Sequence, residues 1–255
     1  MATLAAYTVT FNCRRILYPF EACIASALAL ADRVWWCDAE SDDGTWEVAE
    51  AWAAREPRLR VMRHPWDTHH TILPKICNGV LEDILTECDW AMQLQADEVA
   101  CGWSFRAFRQ ALDDMPAGAH LARPYYRHFC PDARTTWPFL YDRKAVVSRT
   151  ASGARWDCSP GGDACALVGF PQADVPLEVH HYGKVQTGRE REALWKEATM
   201  QAMYTDLGFP DPKLVRELAA GRIDYKRLFA GAVFSPYSGP HPSFAADWLA
   251  EREGR

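Results

Sequence analysis

The chain has 255 residues, with 28 lysines and arginines against 34 aspartates and glutamates, giving a formal net charge of −6. Hydrophobic residues make up 49% and aromatic residues 12%, so a full core can be buried, and disordered and collagen-like classes are excluded. The longest run of small apolar residues, 22–31, is interrupted by Ser26 and is far shorter than the ~20 residues of a bilayer span. No transmembrane segment is predicted.

The N-terminus has no basic region before its first strand-like pattern, so no signal peptide is predicted and a cytoplasmic location is expected. The nine cysteines are an odd number and contain no Cys-x-x-Cys pair. We expect reduced, mostly buried thiols and no structural zinc site.

The first elements alternate between strand and helix. Residues 6–11 are β-branched and aromatic and predict a strand, and residues 20–30, apolar on nearly every turn and free of Gly and Pro, predict a helix. Residues 33–37 form a continuous apolar run typical of a strand covered on both faces. Together they predict a β-α-β unit.

The same alternation continues to about residue 94. Apolar residues recur at helical spacing from Trp46, residues 59–62 predict a short strand, residues 78–87 a helix, and residues 90–94 a further strand. This order predicts an α/β fold with a Rossmann-like, mainly parallel sheet flanked by helices.

Composition changes after residue 120. Residues 1–120 contain 10 basic and 18 acidic side chains, whereas residues 121–160 contain 7 basic and 3 acidic ones interleaved with aromatics. A helical period returns at about 188–207. We therefore divide the chain into an α/β half (1–120), an irregular second half of the same domain (121–187) and a C-terminal helical region (188–255).

Polar clusters follow three of the predicted strands. They are Asn12 with two arginines, the acidic segment 38–45, and Asp97 with Glu98. In an open α/β sheet, ligands bind beyond the carboxyl ends of the strands. Acidic residues there would repel a phosphate unless Mg²⁺ or Mn²⁺ lay between them, so the clusters favour a metal-bridged diphosphate. Taken singly, each is equally well explained as a turn or a helix cap.

The order of these segments resembles the family 2 glycosyltransferases, which have the GT-A fold. Residues 7–12 are similar to that family's opening strand, 41–45 to its acidic segment, Asn78 to the Asn before its third helix, and 93–99 to its metal-binding strand end. Further on, residues 123–129, 162–164 and 181–183, with Lys196 downstream, resemble a subgroup with Gln-Ala-Asp-Glu, Asp-Ala and His-Tyr-Gly elements. The resemblance covers residues 5–200.

The resemblance implies a bound Mn²⁺ or Mg²⁺. Where the family's motif has its first Asp this chain has Gln95, so only Asp97 is carried over as a metal ligand, and His181 is implied as the second. Without the resemblance, His181 would be interpreted as a partly buried histidine at a strand end.

The resemblance also implies a nucleoside-diphosphate sugar as donor, with UDP as the commonest case in the family. Ala39-Glu40 replaces the usual Asp-Gly, which leaves open which acidic residue of 38–43 touches the nucleotide. Lys75 would face the diphosphate or remain solvated. The residues implied in donor binding are Phe11, Asn12, Asp38, Glu40, Asp43, Lys75, Asn78 and Gln95.

The implied reaction is transfer of a sugar to a hydroxyl acceptor with inversion at the anomeric carbon. A carboxylate must take the acceptor proton, and Asp163 is the first candidate, with Asp157 the second. Asp163 is equally well explained as a turn residue after Gly161-Gly162.

Three other functions compete. A glycoside hydrolase would need two carboxylates flanking one bond, but adjacent strand-end residues such as Asp97 and Glu98 point to opposite faces. A nucleotidyltransferase acting on a sugar phosphate would normally have a Gly-rich loop after the first strand, and residues 11–15 contain no glycine. A non-catalytic glycan- or nucleic-acid-binding module fits residues 121–160 but does not explain the acidic first half. The acceptor remains open among a glycan, a lipid-linked phosphate and a nucleic acid with a modified base.

Overall fold

The computed structural model describes residues 1–67, 69, 71–130, 132–137, 141–158, 167, 169–185 and 233–253. Within these residues, the strands and α-helices are, in chain order, β1 (Leu4–Thr10), α1 (Phe20–Leu30), β2 (Arg33–Asp38), α2 (Thr45–Ala53), β3 (Leu59–Arg63), α3 (Ile72–Ile84), β4 (Trp90–Gln93), β5 (Glu98–Ala100), α4 (Phe105–Asp113), β6 (Leu121–His128), β7 (Thr135–Thr136), β8 (Val147–Arg149), β9 (Gln172–His181), β10 (Ser235–Pro236) and α5 (Ala246–Glu253).

Eight strands form one sheet in the order β3-β2-β1-β4-β8-β6-β9-β5. The pairs β3-β2, β2-β1, β1-β4 and β6-β9 are parallel, and β4-β8, β8-β6 and β9-β5 are antiparallel. Helices α1 and α3 pack on β1 and β2, α2 on β2 and β3, and α4 on β9. The predicted α/β fold class, with a mainly parallel sheet flanked by helices, is confirmed.

The first β-α-β unit forms where the hydrophobic pattern predicts it. Strand β1 has six of its seven residues buried, and β2 has five of six, because both lie inside the sheet under helices. Parallel pairing sets Thr10 opposite Asp38, so the two strands end together. The side chains after Thr10 and at Asp38 therefore meet at one edge of the sheet.

The predicted start of the third helix is wrong. Helix α3 begins at Ile72 rather than at Asn78, and Lys75 lies on its exposed side instead of in a preceding loop. Pro74 is the third residue of α3, where its missing N–H would have no partner in any case. A proline therefore does not delay the start of this helix.

The second half joins the same sheet through antiparallel strands. Strand β8 pairs with β4, and the ten-residue β9 runs parallel to β6 and antiparallel to the short edge strand β5. A separate two-stranded sheet is formed by β7 and β10. Residues 1–120 and 121–187 thus contribute strands to one sheet.

The core is rich in large aromatic side chains. Trp35, Trp36, Trp90 and Tyr7 are at most 1% exposed, and the Trp156 indole N–H donates to the Tyr7 hydroxyl at 2.6 Å. Most of the fully buried tryptophans lie on strands, where the flat indole ring packs on the pleated surface of the sheet. The eight described cysteines are free thiols.

The predicted helix at 188–207 lies outside the described residues, as do Asp163 and Lys196. Helix α5 packs near the start of the chain, where the side chains of Trp248 and Arg252 donate to the Leu17 carbonyl at 3.2 and 2.9 Å. Across the described parts of the chain, no helix combines the length and apolarity needed to cross a membrane.

Candidate active site

The loops after β1 and β2 are tied together by a network of hydrogen bonds. The Asn12 backbone N–H donates to Ser41 Oγ at 2.8 Å, and its side-chain Oδ1 accepts the Asp42 N–H at 2.9 Å. Asn12 has φ +50°, a left-handed conformation that Asn tolerates better than most residues. The predicted donor residue Asn12 therefore connects the two loops.

Asp38 is the buried centre of this network, with no exposed surface. Its Oδ1 accepts the Ser41 N–H at 2.8 Å, and its Oδ2 accepts the hydroxyls of Thr10 at 3.0 Å and Ser41 at 2.6 Å. These bonds compensate the burial of a carboxylate. In this structure Asp38 supports the loop, and its contact with a nucleotide stays a prediction.

Asp43 caps the following helix. Its Oδ1 accepts the N–H and the hydroxyl of Thr45, the first residue of α2, at 3.0 and 2.6 Å, while its Oδ2 accepts the Arg15 N–H at 2.7 Å. Gly44 between them has φ +91°, which a side chain would strain. The turn-and-cap interpretation thus describes the geometry of Asp43, while Glu40 lies exposed at φ +57°.

An aromatic pair stands beside these loops. The rings of Phe11 and Trp66 stack with centroids 4.8 Å apart and planes at 9°, and both side chains are only half-buried. The Arg63 guanidinium lies 5.0 Å over the Trp46 ring and donates to the Ser41 carbonyl at 3.3 Å. Phe11 is predicted from the sequence and Trp66 is not, because the position of Trp66 near Phe11 depends on the pairing of β3 with β2.

Asp97 and His181 are brought into direct contact. Asp97 lies in the turn before β5 and His181 ends β9, and pairing of these two strands sets Glu98 opposite His181. Asp97 Oδ2 is 3.1 Å from His181 Nε2, with 9% and 13% of the two side chains exposed. These two residues, 84 positions apart in the sequence numbering, are the two predicted metal ligands.

Gly183 leaves room for this contact. A Cβ added to Gly183 would clash with Asp97 Oδ2 and lie 3.0 Å from His181 Nε2. The Tyr182 N–H also donates to the Asp97 carbonyl at 2.8 Å, which fixes the chain after His181 against the turn. Packing against Asp97 and His181 therefore requires a residue without a side chain at position 183.

His128 sets the direction of the His181 ring. His128 Nε2 is 3.0 Å from the Tyr141 carbonyl, and its Nδ1 is 3.0 Å from His181 Nδ1. Burial, together with the neighbouring His181, lowers the pKa of His128 to about 3, so its ring is neutral. A carbonyl only accepts, so His128 carries its proton on Nε2 and accepts the Nδ1 proton of His181 at its own Nδ1.

Nε2 of His181 therefore faces the Asp97 carboxylate. A proton or a cation between these two atoms, which are 3.1 Å apart, offsets their mutual repulsion. The spacing matches neighbouring ligands of an octahedral ion with bonds of about 2.1 Å, which are about 3.0 Å apart. A carboxylate oxygen and an imidazole nitrogen are suitable ligands for Mn²⁺, so these residues fit the implied metal.

The residue after Asp97 has a different environment. Glu98 is fully buried, and its Oε1 lies 3.0 Å from Lys144 Nζ. Its Oε2 accepts the Gln95 N–H at 2.9 Å and closes the turn that presents Asp97. Because Glu98 is paired in the core, Asp97 and Glu98 do not flank a common space. This agrees with the prediction that adjacent residues at a strand end point to opposite faces.

Burial raises the pKa of the Cys13 thiol well above its usual value, and the carboxylates of Asp43, Asp97 and Asp38 raise it further. Strands β2 and β4 both run parallel to β1, so the two acidic clusters that follow them lie at the same edge of the sheet. This is the edge formed by the carboxyl ends of β1, β2 and β4, where ligands of such sheets bind.

Asn78 supports a neighbouring segment. Its side chain accepts the Trp156 N–H at 2.8 Å and donates to the Trp156 carbonyl at 3.1 Å. The segment held in this way includes Asp157, which is half-buried. The first candidate base, Asp163, lies outside the described residues.

A cavity of about 260 Å³ opens beside His128. Its walls combine aromatic and polar side chains and are formed by Tyr125, Tyr126, Arg127, His128, Thr136, Trp137, Tyr141, Asp142, Val233 and Ser235. Eight of the described lining residues come from the segment 121–160, which is rich in basic and aromatic residues, and two come from nearer the C-terminus.

No protein-family model and no curated protein matches the chain. Among solved structures, the chain is similar to S. aureus TarS 1-349, with 12% identity, 90% of this chain and 72% of that chain covered, and a TM-score of 0.49. The complex of TarS 1-349 with UDP-GlcNAc gives 12% identity, coverage of 90% and 73%, and a TM-score of 0.47. Glucosyl-3-phosphoglycerate synthase from Mycobacterium tuberculosis, in complex with Mn²⁺, UDP and phosphoglyceric acid, gives 18% identity, coverage of 49% and 43%, and a TM-score of 0.37.

Proposed function

We propose that this chain is a metal-dependent glycosyltransferase of the GT-A type, which moves a sugar from a nucleoside-diphosphate donor to a hydroxyl acceptor with inversion. The observation that carries the proposal is the contact of Asp97 Oδ2 with His181 Nε2 at 3.1 Å. The hydrogen bonds of His128 turn Nε2 of His181 towards this carboxylate, and the spacing and ligand types of the pair fit a divalent cation.

Asp97 and His181 would hold Mn²⁺ or Mg²⁺, which when bound offsets the negative charge that develops on the diphosphate leaving group. The half-buried Phe11 and Trp66 rings offer an apolar surface for the nucleotide base, with UDP as the first candidate nucleotide. The hydrogen bonds of Asn12 and Asp38 fix the conformation of the loops that border this donor surface. Residues 1–120 would thus form the donor half of the domain.

The acceptor side would be formed by residues 121–187, with 188–255 as an additional helical region. The cavity beside His128 supports an acceptor side beyond residue 120, because its aromatic side chains suit the apolar faces of sugar rings and its polar side chains suit their hydroxyls. Asp163, or Asp157 in its place, would accept the proton of the attacking hydroxyl.

Binding of the donor is tested by thermal unfolding with UDP-, GDP- and dTDP-sugars, with and without Mn²⁺. One nucleotide class is expected to stabilise the protein only when the metal is present. At a hundredfold excess over Kd the gain is about 2.7 kcal/mol, and such a gain raises Tm by about 5–10 °C in a chain of this size.

Asp97→Asn is expected to abolish this stabilisation, because the amide is a poor ligand for the cation. Asp83→Asn, an exposed substitution on α3, is the control and should keep it. A wild-type protein that no sugar nucleotide stabilises at any Mn²⁺ concentration contradicts the proposed function.

The base is tested by comparing Asp163→Asn with Asp157→Asn. The variant that removes the base should bind the donor normally and transfer sugar about 10²–10⁴-fold more slowly. Transfer is measured as release of nucleoside diphosphate with a panel of glycan acceptors, and release of pyrophosphate instead would indicate a nucleotidyltransferase. If both variants keep full turnover, neither carboxylate is the base.

A further inference from the structure

A second group of metal-binding side chains lies on the other face of β9. Strands alternate their side chains between two faces, so Glu178 and His180 point away from the side of His181. The Cys101 N–H donates to the Glu178 carbonyl at 2.9 Å, which continues the β5-β9 pairing and sets Cys101 opposite Glu178. One thiol, one carboxylate and one imidazole therefore share a face.

The ligand atoms of these three residues all lie within 4.8 Å of one another. His180 Nε2 is already 3.1 Å from Glu178 Oε1. Neighbouring ligands of a tetrahedral zinc ion are about 3.4–3.7 Å apart, as follows from zinc bonds of about 2.0–2.3 Å. A side-chain movement of about 1 Å brings the most widely separated ligand atoms to the spacing found around zinc.

The environment suits a firmly held ion. Cys101 and His180 have no exposed surface, whereas 22% of the Glu178 side chain is exposed and leaves an approach for the ion and for a water molecule. The second ring nitrogen of His180 lies 3.2 Å from the Tyr182 hydroxyl, which is itself 2.8 Å from His241 Nδ1. Such outer contacts orient metal-binding histidines.

We propose that Cys101, Glu178 and His180 bind one zinc ion, with water as the fourth ligand, and that the ion clamps the edge strand β5 to β9. Thiolate, carboxylate and imidazole are the three ligand types of protein zinc sites. The Cys101 proton passes to solvent as the zinc–sulfur bond forms, and the negative charges of Cys101 and Glu178 balance the ion. This site is independent of the proposed donor site.

The same residues also pack without a metal. Glu178 Oε1 accepts the Arg127 Nε–H at 2.9 Å, and Oε2 accepts the Trp103 indole N–H at 3.2 Å. The experiment must therefore distinguish a zinc site from a metal-free cluster.

Zinc content and cobalt substitution of the full chain distinguish the two. We expect one equivalent of zinc per chain by elemental analysis after dialysis. The cobalt-substituted protein should show a near-ultraviolet thiolate-to-cobalt absorption band and strong visible bands of tetrahedral cobalt. Wild-type protein that retains no zinc and gives no thiolate band overturns the proposal.

The variants assign the ligands. Cys101→Ser should lose the thiolate band, and Glu178→Gln should weaken zinc binding at least tenfold. Cys130→Ser, at another fully buried cysteine, is the matched control and should keep both signals. Asp97→Asn should keep them too, since the donor site is separate. An unchanged band and unchanged zinc content in Cys101→Ser would place the metal elsewhere and overturn the assignment.

Folding of each variant is checked by circular dichroism. If Cys101→Ser does not fold, Glu178→Gln decides the question, because this half-buried residue keeps its shape and loses only its charge. A Glu178→Gln protein that binds zinc as tightly as wild type contradicts the proposed ligand set.

Discussion

At the scale of single residues, His128 decides how the candidate site presents its ligands. Its two hydrogen bonds, to the Tyr141 carbonyl and to His181, require one tautomer of each ring. Nothing in the chain order marks this residue, since β6 and β9 meet only through their parallel pairing, which sets His128 opposite His181. His128 is thus a positioning residue that acts through His181.

Two substitutions of His128 separate its hydrogen bonds. The side-chain amide of Asn lies near the position of Nδ1, and that of Gln lies near the position of Nε2. His128→Asn should retain the bond to His181 and keep Mn²⁺ affinity close to wild type. His128→Gln should lose that bond and weaken Mn²⁺ binding about 10–100-fold, as found when outer contacts of metal ligands are removed.

Mn²⁺ affinity is measured by electron paramagnetic resonance titration without any sugar nucleotide. His64→Gln, at a half-buried histidine after β3, is the control and should bind as wild type. Equal Mn²⁺ affinity in His128→Asn and His128→Gln would show that the ring tautomer does not matter.

At the scale of secondary-structure elements, the turn between β4 and β5 depends on a buried ion pair. Glu98 and Lys144 have 0% and 1% of their side chains exposed, and their charged atoms are 3.0 Å apart. The same carboxylate accepts the Gln95 N–H, so the pair shapes the turn that carries Asp97. Stability and site geometry are coupled at this point.

Glu98→Gln removes the negative charge beside the buried Lys144 ammonium and should lower the free energy of unfolding by about 3–5 kcal/mol. The double variant Glu98→Gln/Lys144→Met removes both charges and should recover much of this loss. Urea denaturation measures both values. Asp42→Asn, which breaks an exposed pair with Arg15, is the control and should cost less than about 1 kcal/mol. A loss in Glu98→Gln no larger than in this control would contradict the expected role.

At the scale of the whole molecule, one sheet joins the two halves of the chain. Strands β4 and β5 from the first half pair with β8 and β9 from the second. Asp97 comes from the first half and His181 from the second, so the candidate metal site exists only when both halves fold together. A site formed from both halves couples ligand binding to the stability of the complete sheet.

Much of the first half of this fold follows from the sequence alone. The boundaries of α1 are those predicted, and β2 and β3 each differ by one residue, because a hydrophobic run under helices has a local signature in the chain. The placing of Asp97 at a strand end was predicted for the same reason. The start of α3 was not predicted. From the sequence alone, a proline in the first turn of a helix, such as Pro74, is not distinguished from a proline that interrupts a helix.

Local sequence patterns thus specify the α/β class, the mainly parallel character of the sheet and the edge where polar groups collect. Only the tertiary structure decided that Asp97 meets His181, that His128 orients this ring, and that Cys101 lies opposite Glu178. These contacts depend on the register between strands that are distant in the chain. A shift of one residue in that register would turn every one of these side chains to the other face, and hydrophobic periodicity within a single strand does not specify its partner.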